Sequence, residues 1–150
     1  MIMPVIKAYH STNNPDFKPT DFLHVGTYEQ ARMRGGKFIY EIEFQARRKE
    51  KRLKDNGSWK ADNLKRHKRD TDVIVYLNRY EGLNAEDFIE VQKLFNIDRL
   101  NDKQFSRKIP AACDSWIILD HEIIRSVKIH EESEPAIQTG SKNGGLSEKG

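Results

Sequence analysis

At 150 residues the chain is long enough for one compact domain with its own core and short for two. A third of its residues are charged, but the two signs are mixed and the formal net charge is only +3, which indicates a globular protein and excludes a disordered one. A lone cysteine, Cys113, excludes an internal disulfide and any zinc site built from several thiolates, and it fits a reducing cytosol.

The N-terminal part of the chain predicts three strands and one helix. MPVIKAYHST (residues 3–12) has the composition of a strand, and a second, short strand is predicted over residues 22–25. Thr27 stands where an N-cap would begin a helix, which a glycine pair at 35–36 would end. KFIYEIEF then alternates between apolar and acidic side chains after its first residues, which predicts a half-buried strand.

Residues 46–70 are dense in basic side chains and predict an exposed insertion. Residues 46–69 hold eleven Lys or Arg against three acids, and DNGSW at the centre divides them into two polar arms. This segment is either a mobile solvated loop or a nucleic-acid contact, in which cations bind phosphates and an aromatic ring stacks on a base. The candidate nucleic-acid residues are Arg47, Arg48, Lys51, Arg52, Trp59, Lys65, Arg66, Lys68 and Arg69.

The next apolar run, VIVYL at 73–77, predicts a strand buried on both faces. Asn84 stands where an N-cap would begin the following helix. Phe88, Val91 and Leu94 repeat there at helical spacing, so we expect that helix to pack on the sheet.

The C-terminal part predicts a polar connector, two strands and a tail. The connector covers residues 101–108, and SWIILD and IIRSVKIH are strands separated by a turn near 120–122. Residues 131–150 are rich in Glu, Ser and Gly and predict a disordered tail.

The fold class predicted from these elements is α+β, in a single domain over residues 1–130. About six strands and two or three short helices do not alternate strictly, which disfavours a doubly wound parallel sheet. The chain has no GxGxxG after a strand and no GxxxxGK loop, so Rossmann and P-loop nucleotide sites are excluded. It also has no apolar run of membrane length and no leader sequence, which predicts a cytoplasmic protein with no membrane partner.

Polar clusters end three of the predicted strands: YHST at 9–12, HVGT at 24–27 and NRYE at 78–81. Because strand ends converge on clefts in sheet proteins, we expect these clusters to form one site.

The segments AYHST, FLHVGTYEQARMR, DVIVYLNRYEG and DSWIILDHEIIRSV, in this order, resemble the ADP-ribosyltransferase-like fold family. The likeness is to its small phage and mobile-element members, and it covers residues 5–129 without the basic segment. It implies split β-sheets around a cleft with a few short helices. It also implies an enzyme that takes NAD+ as substrate, cleaves the nicotinamide–ribose bond and passes ADP-ribose to a host macromolecule or to water, in the cytoplasm of the bacterial host.

By this resemblance Glu81 is the catalytic carboxylate, because cleavage leaves positive charge on the ribose ring and a nearby anion stabilises it. His10 matches the first-strand histidine that hydrogen-bonds a ribose hydroxyl and orients the dinucleotide. Ser11 and Thr12 stand where the family often has Gly followed by Thr or Ser, so Ser11 departs from the pattern and alters the backbone contact to nicotinamide. Thr27 matches a hydroxyl residue of the family, and as a plain N-cap it needs no ligand.

Tyr28 and Tyr40 are the alternatives for a ring stacked on the cationic nicotinamide, and Tyr40 is equally compatible with the core. Arg79 stands where family members that modify arginine have Glu or Gln, so transfer to a protein arginine is disfavoured. Its guanidinium either contacts a phosphate of NAD+ or of a nucleic-acid acceptor, or points into solvent. We predict no metal site, because no set of histidines and acids has the spacing of metal ligands.

Three functions are compatible with the sequence. The first is the NAD+-dependent transferase, with a host protein or nucleic acid as acceptor. The second is a catalytically inert domain of the same fold that binds nucleic acid or a host protein through the basic segment. The third is a regulator that captures an NAD-derived nucleotide without cleaving it. The first depends on His10 and Glu81 facing each other across a single dinucleotide-sized hollow.

Overall fold

Two separate sheets make up the β-structure of the computed structural model, which describes residues 2–94 and 96–132. The elements in chain order are β1 (Ile6–Thr12), β2 (Leu23–Val25), α1 (Tyr28–Arg34), β3 (Phe38–Phe44), β4 (Glu50–Arg52), α2 (Ala61–Lys68), β5 (Val73–Leu77), α3 (Ala85–Gln92), α4 (Asp102–Lys108), β6 (Asp114–Ile118) and β7 (Ile124–Glu132). Short 3-10 turns lie at Ile97–Arg99 and His121–Ile123. The predicted α+β class is confirmed.

The first sheet is antiparallel, in the order β1-β3-β7, and the second has the order β2-β6-β5-β4. In the second sheet β4 pairs parallel to β5, and the other pairs are antiparallel. The two sheets touch where backbone groups of Tyr9 in β1 and Gly26 after β2 exchange hydrogen bonds of 2.8 and 2.9 Å. The middle of β1 is therefore held beside the end of β2.

Apolar side chains from both sheets share one core. Ala8 and Ile42 of the first sheet pack with Val73 and Ile118 of the second, and Ile42 and Ile118 are fully buried. The other face of β5 is covered by Leu64 of α2 and its neighbours. Because both of its faces are covered, β5 can be apolar at all five positions, as predicted from the sequence.

Helix α1 begins and ends where the sequence predicts. The Thr27 hydroxyl accepts a hydrogen bond from the Gln30 backbone N–H at 3.1 Å, and the Gln30 side chain accepts one from the Thr27 N–H at 3.0 Å. This reciprocal pair is a capping box, and Gly35, in the left-handed region at φ 79°, ends the helix.

Residues 46–70 are mostly exposed, as predicted, but they form part of the fold, so the prediction that they are an insertion is wrong. They supply β4 at the edge of the second sheet and α2, whose Leu64 is buried against β5. Asp55 is also buried, and Trp59 packs its ring 4.8 Å from that of Tyr76. The apolar anchors are single residues among eleven cations, so they produce no periodic pattern in the sequence.

The segment after β5 also departs from the prediction. Helix α3, all of which is described, has no buried residue, and Phe88 is 48% exposed. Val91 of this helix and Leu94 just after it dock on a satellite cluster that meets the sheet only at Leu77, the last residue of β5. The buried members of this cluster are Leu77, Leu83, Leu100, Phe105 and Ile109. Phe105 belongs to α4, which forms where a polar connector was predicted and which begins with a capping box at Asn101.

Arg79 is fully buried, so neither predicted role, phosphate contact or solvent exposure, is correct. Its guanidinium donates to Asp102 Oδ1 at 2.9 Å and to the Ile97 carbonyl at 2.7 Å, and it lies 5.0 Å from the centre of the Phe105 ring. Its backbone N–H donates to Asp55 at 3.0 Å. Arg79 thus joins the end of β5 to the satellite cluster and to the basic segment.

The C-terminal prediction falls partly outside the described residues. Glu131 and Glu132 are the last residues of β7, so this strand is longer than predicted. The remainder of the predicted tail, 133–150, lies outside the described residues. Within the ranges 2–94 and 96–132, no helix has the length and apolarity needed to cross a bilayer.

The buried guanidinium of Arg79 predicts a large cost for removing its carboxylate. We expect Asp102→Ala to lower the free energy of unfolding by about 3 kcal/mol, because it leaves a buried cation unpaired. The exposed Glu86 stands in the first turn of α3 as Asp102 does in α4, so Glu86→Ala controls for the helix dipole and should cost less than about 1 kcal/mol. Urea unfolding measures both, and equal costs would contradict a buried ion pair.

Candidate functional site

Three hollows open beside the end of β5, and Arg34 and Glu81 line all three. The inner hollow, of about 20 Å³, lies between the two sheets and includes His10. The Trp59 hollow has a volume of about 160 Å³ and is walled by Trp59 of the basic segment. The apolar hollow has a volume of about 250 Å³ and reaches α3 at Phe88.

An ion pair stands where the three hollows meet. Arg34 Nη2 lies 2.7 Å from Glu81 Oε1, and the two side chains are 48% and 45% exposed. Such an exposed pair contributes roughly 0–1 kcal/mol, so a ligand anion can compete for the guanidinium. A ligand anion can therefore displace Arg34 from this pair.

His10 and Glu81 line the same inner hollow, but its volume of about 20 Å³ is far below that of a dinucleotide, so the geometric expectation is met only in part. Ser11 lines it too, and its hydroxyl accepts a hydrogen bond of 2.7 Å from the Gly36 backbone N–H. A cavity of about 20 Å³ holds about one water, so any larger ligand requires side chains such as Arg34 to move.

Four other predicted residues, all in the described part of the chain, line none of the three hollows. The Thr12 hydroxyl accepts from the Asn14 N–H in a turn, and Thr27 is the N-cap of α1. Tyr28 donates its hydroxyl to Glu131. Tyr40 is buried and donates to the Pro15 carbonyl. Neither tyrosine proposed for nicotinamide stacking reaches the site, and the aromatic residues that line the three hollows are instead Tyr9, Trp59, Tyr76, Tyr80 and Phe88.

Two histidines with lowered pKa values line the inner hollow. Burial lowers the pKa of His10, whose Nδ1–H donates to the His24 carbonyl at 2.8 Å. Because a carbonyl only accepts, the neutral ring must present Nε2 as an acceptor. Burial also lowers the pKa of His24, and the guanidinium of Arg34 lowers it further. Both rings are therefore uncharged near neutral pH.

A chain of hydrogen bonds fixes the backbone that carries Glu81. The side-chain oxygen of Asn78 accepts from the backbone N–H groups of Tyr80 and Glu81 at 3.1 and 2.9 Å. The Asn78 amide donates to Ser115 Oγ at 3.0 Å, and that hydroxyl donates to Gln30 Oε1 at 2.6 Å. The turn after β5 is thus tied through β6 to α1.

Gln30 fits between two glycines that leave no room for a side chain. A Cβ on Gly26 would lie 2.0 Å from Gln30 Oε1, and one on Gly82 would lie 2.2 Å from Gln30 Cγ. Gly82 also has φ 81°, which an L-residue adopts at a cost of about 1–2 kcal/mol. The sequence alone therefore does not explain why glycine stands at these two positions. The Gln30 side chain that lies between them does.

Sequence reasoning missed Arg34, Gln30 and His24 as site residues. Arg34 follows Gln30 by four positions, so the two lie on one face of α1, and this spacing was the available signal. His24 stands in the HVGT cluster, which the sequence placed at a strand end without assigning the imidazole a role. Its ring borders both the inner hollow and the Trp59 hollow.

The candidate nucleic-acid residues form no single free patch. Four of their eight cations pair with acids elsewhere in the fold: Arg47 with Asp120 and Glu122, Arg48 with Asp72, Arg52 with Asp114, and Lys68 with Asp21. Arg66 donates to Asn63. Within the described residues, Lys51, Lys65 and Arg69 form no ion pair. Fewer cations are thus available to bind phosphates than the eight candidates in the sequence.

One group of potential metal ligands exists among the described residues: Asp21, Asp120 and His121. Asp21 already pairs with Lys68 at 2.7 Å and with the His121 ring at 2.6 Å. An ammonium group in contact with the same carboxylate disfavours a second cation there, so we assign this cluster to structure.

Comparisons of the chain with protein-family models, curated proteins and solved structures gave no match. The function is therefore inferred from the site and from the sequence resemblance.

The Gln30 contact is tested by comparing two glycines of similar backbone geometry. A Cβ added to Gly35, at φ 79°, would meet nothing within 4 Å, whereas Gly82 has the same strain and also contacts Gln30. We expect Gly82→Ala to lower the free energy of unfolding by at least about 1 kcal/mol more than Gly35→Ala, because Gln30 must move. Urea unfolding gives the difference, and no difference would show that Gln30 yields freely.

The lowered pKa of His24 predicts a pH dependence of stability. Below its ordinary pKa of 6.5 the unfolded chain binds a proton that the folded chain resists, so stability falls as pH drops through the lowered pKa. His24→Gln should reduce this loss. Urea unfolding of both proteins at about pH 7.5 and about pH 5 measures it, and equal slopes would contradict the prediction. Because His121 has a raised pKa through Asp21, its opposite contribution cancels in the comparison.

Proposed function

We propose that the protein is an NAD+-dependent ADP-ribosyltransferase of the ADP-ribosyltransferase-like fold, acting in the cytoplasm of a bacterial host. The observation that carries this proposal is that His10 and Glu81 line one hollow between two sheets. The sequence resemblance predicted this pairing for two residues 71 positions apart. The two-sheet architecture supports the same fold, because a split pair of sheets is what the resemblance implies.

His10 has the form that binding a ribose requires. Its Nδ1–H is held by the His24 carbonyl, so Nε2 of the neutral ring accepts a hydrogen bond from a sugar hydroxyl. The ring is held in orientation by Phe17, which stacks on it at 4.8 Å. A neutral histidine held in this way orients the bound sugar without placing a charge beside it.

Glu81 supplies the charge. In the reaction, the bond between the nicotinamide nitrogen and ribose C1′ breaks and its electron pair leaves with nicotinamide. The carboxylate stabilises the positive charge that develops on the sugar. The hydrogen-bonded turn from Asn78 gives the carboxylate a fixed base, so little reorganisation accompanies the step.

Arg34 gives the site two states. With no ligand it neutralises Glu81 at 2.7 Å. An NAD+ pyrophosphate carries two negative charges and bidentate acceptors, which suit a guanidinium better than one exposed carboxylate does. Binding of NAD+ thus frees Glu81 while it opens the inner hollow.

Nicotinamide release from NAD+ tests the proposal. We expect the wild-type protein to release nicotinamide and Glu81→Gln to lower the rate by about 100-fold or more, because the charge opposite the ribose is lost. Glu86→Gln removes an equally exposed glutamate of α3 and should keep the wild-type rate. Melting temperatures of the three proteins check that each is folded.

The other functions make different predictions in the same assay. A domain that only captures NAD+ would show a rise in melting temperature with NAD+ and no release of nicotinamide. An inert nucleic-acid binder would show neither effect, and replacing Lys51, Lys65 and Arg69 by Gln would weaken its salt-dependent binding to RNA or DNA. Either result would exclude the transferase.

A further inference from the structure

The Trp59 hollow is the feature that the proposed NAD+ chemistry leaves unused. It shares His24, Arg34, Tyr76, Asn78 and Glu81 with the inner hollow, so the two cavities adjoin along the catalytic carboxylate. A group bound in the Trp59 hollow therefore lies beside the sugar of a dinucleotide bound in the inner hollow. That is the position that an acceptor must occupy.

The volume of this hollow fits one aromatic ring. It is about 160 Å³, and a cavity of about 150 Å³ in another protein holds benzene. Three aromatic side chains, Trp59, Tyr76 and Tyr80, border it, and the first two stand 4.8 Å apart. Stacking on such walls favours a planar ligand and is largely indifferent to its sequence context.

The remaining lining is polar, which favours a heteroaromatic ring over a hydrocarbon. Asn78 and Asp55 border the hollow, but their side chains are occupied by backbone N–H groups. The ring of His24 makes no hydrogen bond within the described residues, and it stays uncharged because burial lowers its pKa. A ligand N–H therefore finds an acceptor there.

Positive charge at the rim favours a nucleotide over an uncharged base. Lys54 Nζ donates to the carbonyl of Asp98, whose carboxylate accepts from the Tyr80 hydroxyl at 2.7 Å. The Lys54 ammonium thus stands beside one wall of the hollow. Lys60 follows Trp59 directly in the chain and is exposed. The cations within reach of a phosphate on the bound ring are Arg34 in the lining and Lys54 beside the Tyr80 wall, against the lining carboxylates of Asp55 and Glu81.

We propose that the Trp59 hollow is the acceptor site and that it takes the single ring of a pyrimidine nucleotide. The acceptor role rests on the proposed function, whereas the binding site does not. In the transfer step, a ring nitrogen of the pyrimidine forms a bond to ribose C1′ as nicotinamide leaves with its electron pair. The proton of that N–H passes to the neutral ring of His24 and then to solvent.

Calorimetric titration with uridine monophosphate (UMP) tests the binding site without any need for activity. Trp59→Ala should weaken UMP affinity roughly 10-fold or more, and Trp59→Phe should retain most of it, because an aromatic wall remains. Trp116→Phe is the matched control, since Trp116 packs on Phe44 in the main core and borders none of the three hollows; it should bind UMP as the wild type does.

The charge and size of the ligand are tested with the same method. Lys54→Gln should reduce the salt dependence of UMP binding, and Lys103→Gln, on the exposed face of α4, should not. The purine nucleotide AMP and ribose 5-phosphate should bind at least about 10-fold more weakly than UMP. The two-ring base of AMP is too large for the hollow, and ribose 5-phosphate has no base to stack. Equal binding of ribose 5-phosphate, or failure of Trp59→Ala to weaken UMP, would overturn the site.

Transfer is followed by mass spectrometry of UMP and of oligo(U) incubated with NAD+. We expect ADP-ribosyl adducts, a loss of adducts in His24→Gln that is larger than its loss of UMP affinity, and a preference that identifies free nucleotide or strand as the source. Nicotinamide that competes with UMP for the hollow would overturn the assignment, because the hollow would then hold the donor. UMP binding without nicotinamide release would refute the transferase and with it the acceptor role, while the pyrimidine site would stand.

Discussion

The hydrogen bonds of one buried amide hold the site together. Gln30 caps its own helix, accepts the Ser115 hydroxyl at 2.6 Å and donates to the Cys113 carbonyl at 3.3 Å. Through Ser115 it reaches Asn78, the residue that shapes the turn carrying Glu81. Because a half-satisfied buried network costs more than none, these groups have one favourable arrangement. The position of Glu81 is set by partners on β6 and α1, far from it in sequence.

The relative strengths of two ion pairs explain which part of the site is rigid and which can move. The guanidinium of Arg79 is fully buried, and with few alternatives to Asp102 it behaves as a fixed part of the fold. That of Arg34 is half exposed, so its pair with Glu81 contributes little and can be exchanged for a ligand. The same guanidinium–carboxylate chemistry therefore forms a fixed pair at Arg79 and a weak, exposed pair at Arg34.

Local patterns predicted every strand except β4, and they predicted the capped helices α1 and α3; the placement of His10 and Glu81 at one hollow came from the sequence resemblance. The failures share one cause, which is that the deciding contact was tertiary. Leu64 and Trp59 anchor the basic segment to the fold, but they are isolated apolar residues in it. The basic composition of the segment therefore decided the prediction. Arg79 comes just after a strand, where a charged residue usually faces solvent. It is buried only because the satellite cluster around Phe105 packs against it. Tyr28 and Tyr40 had suitable chemistry, but the strand and helix that carry them direct both rings away from the hollows.

The sequence by itself determined the α+β class, the apolar run of β5 and the residue types at the three strand ends, because backbone periodicity and capping depend on near neighbours. Only the tertiary structure decided which of those polar residues share a cavity, that Arg34 pairs with Glu81 beside it, and that the basic segment contributes an aromatic wall. These outcomes depend on the packing of two sheets and on single long-range contacts, and no local pattern encodes either.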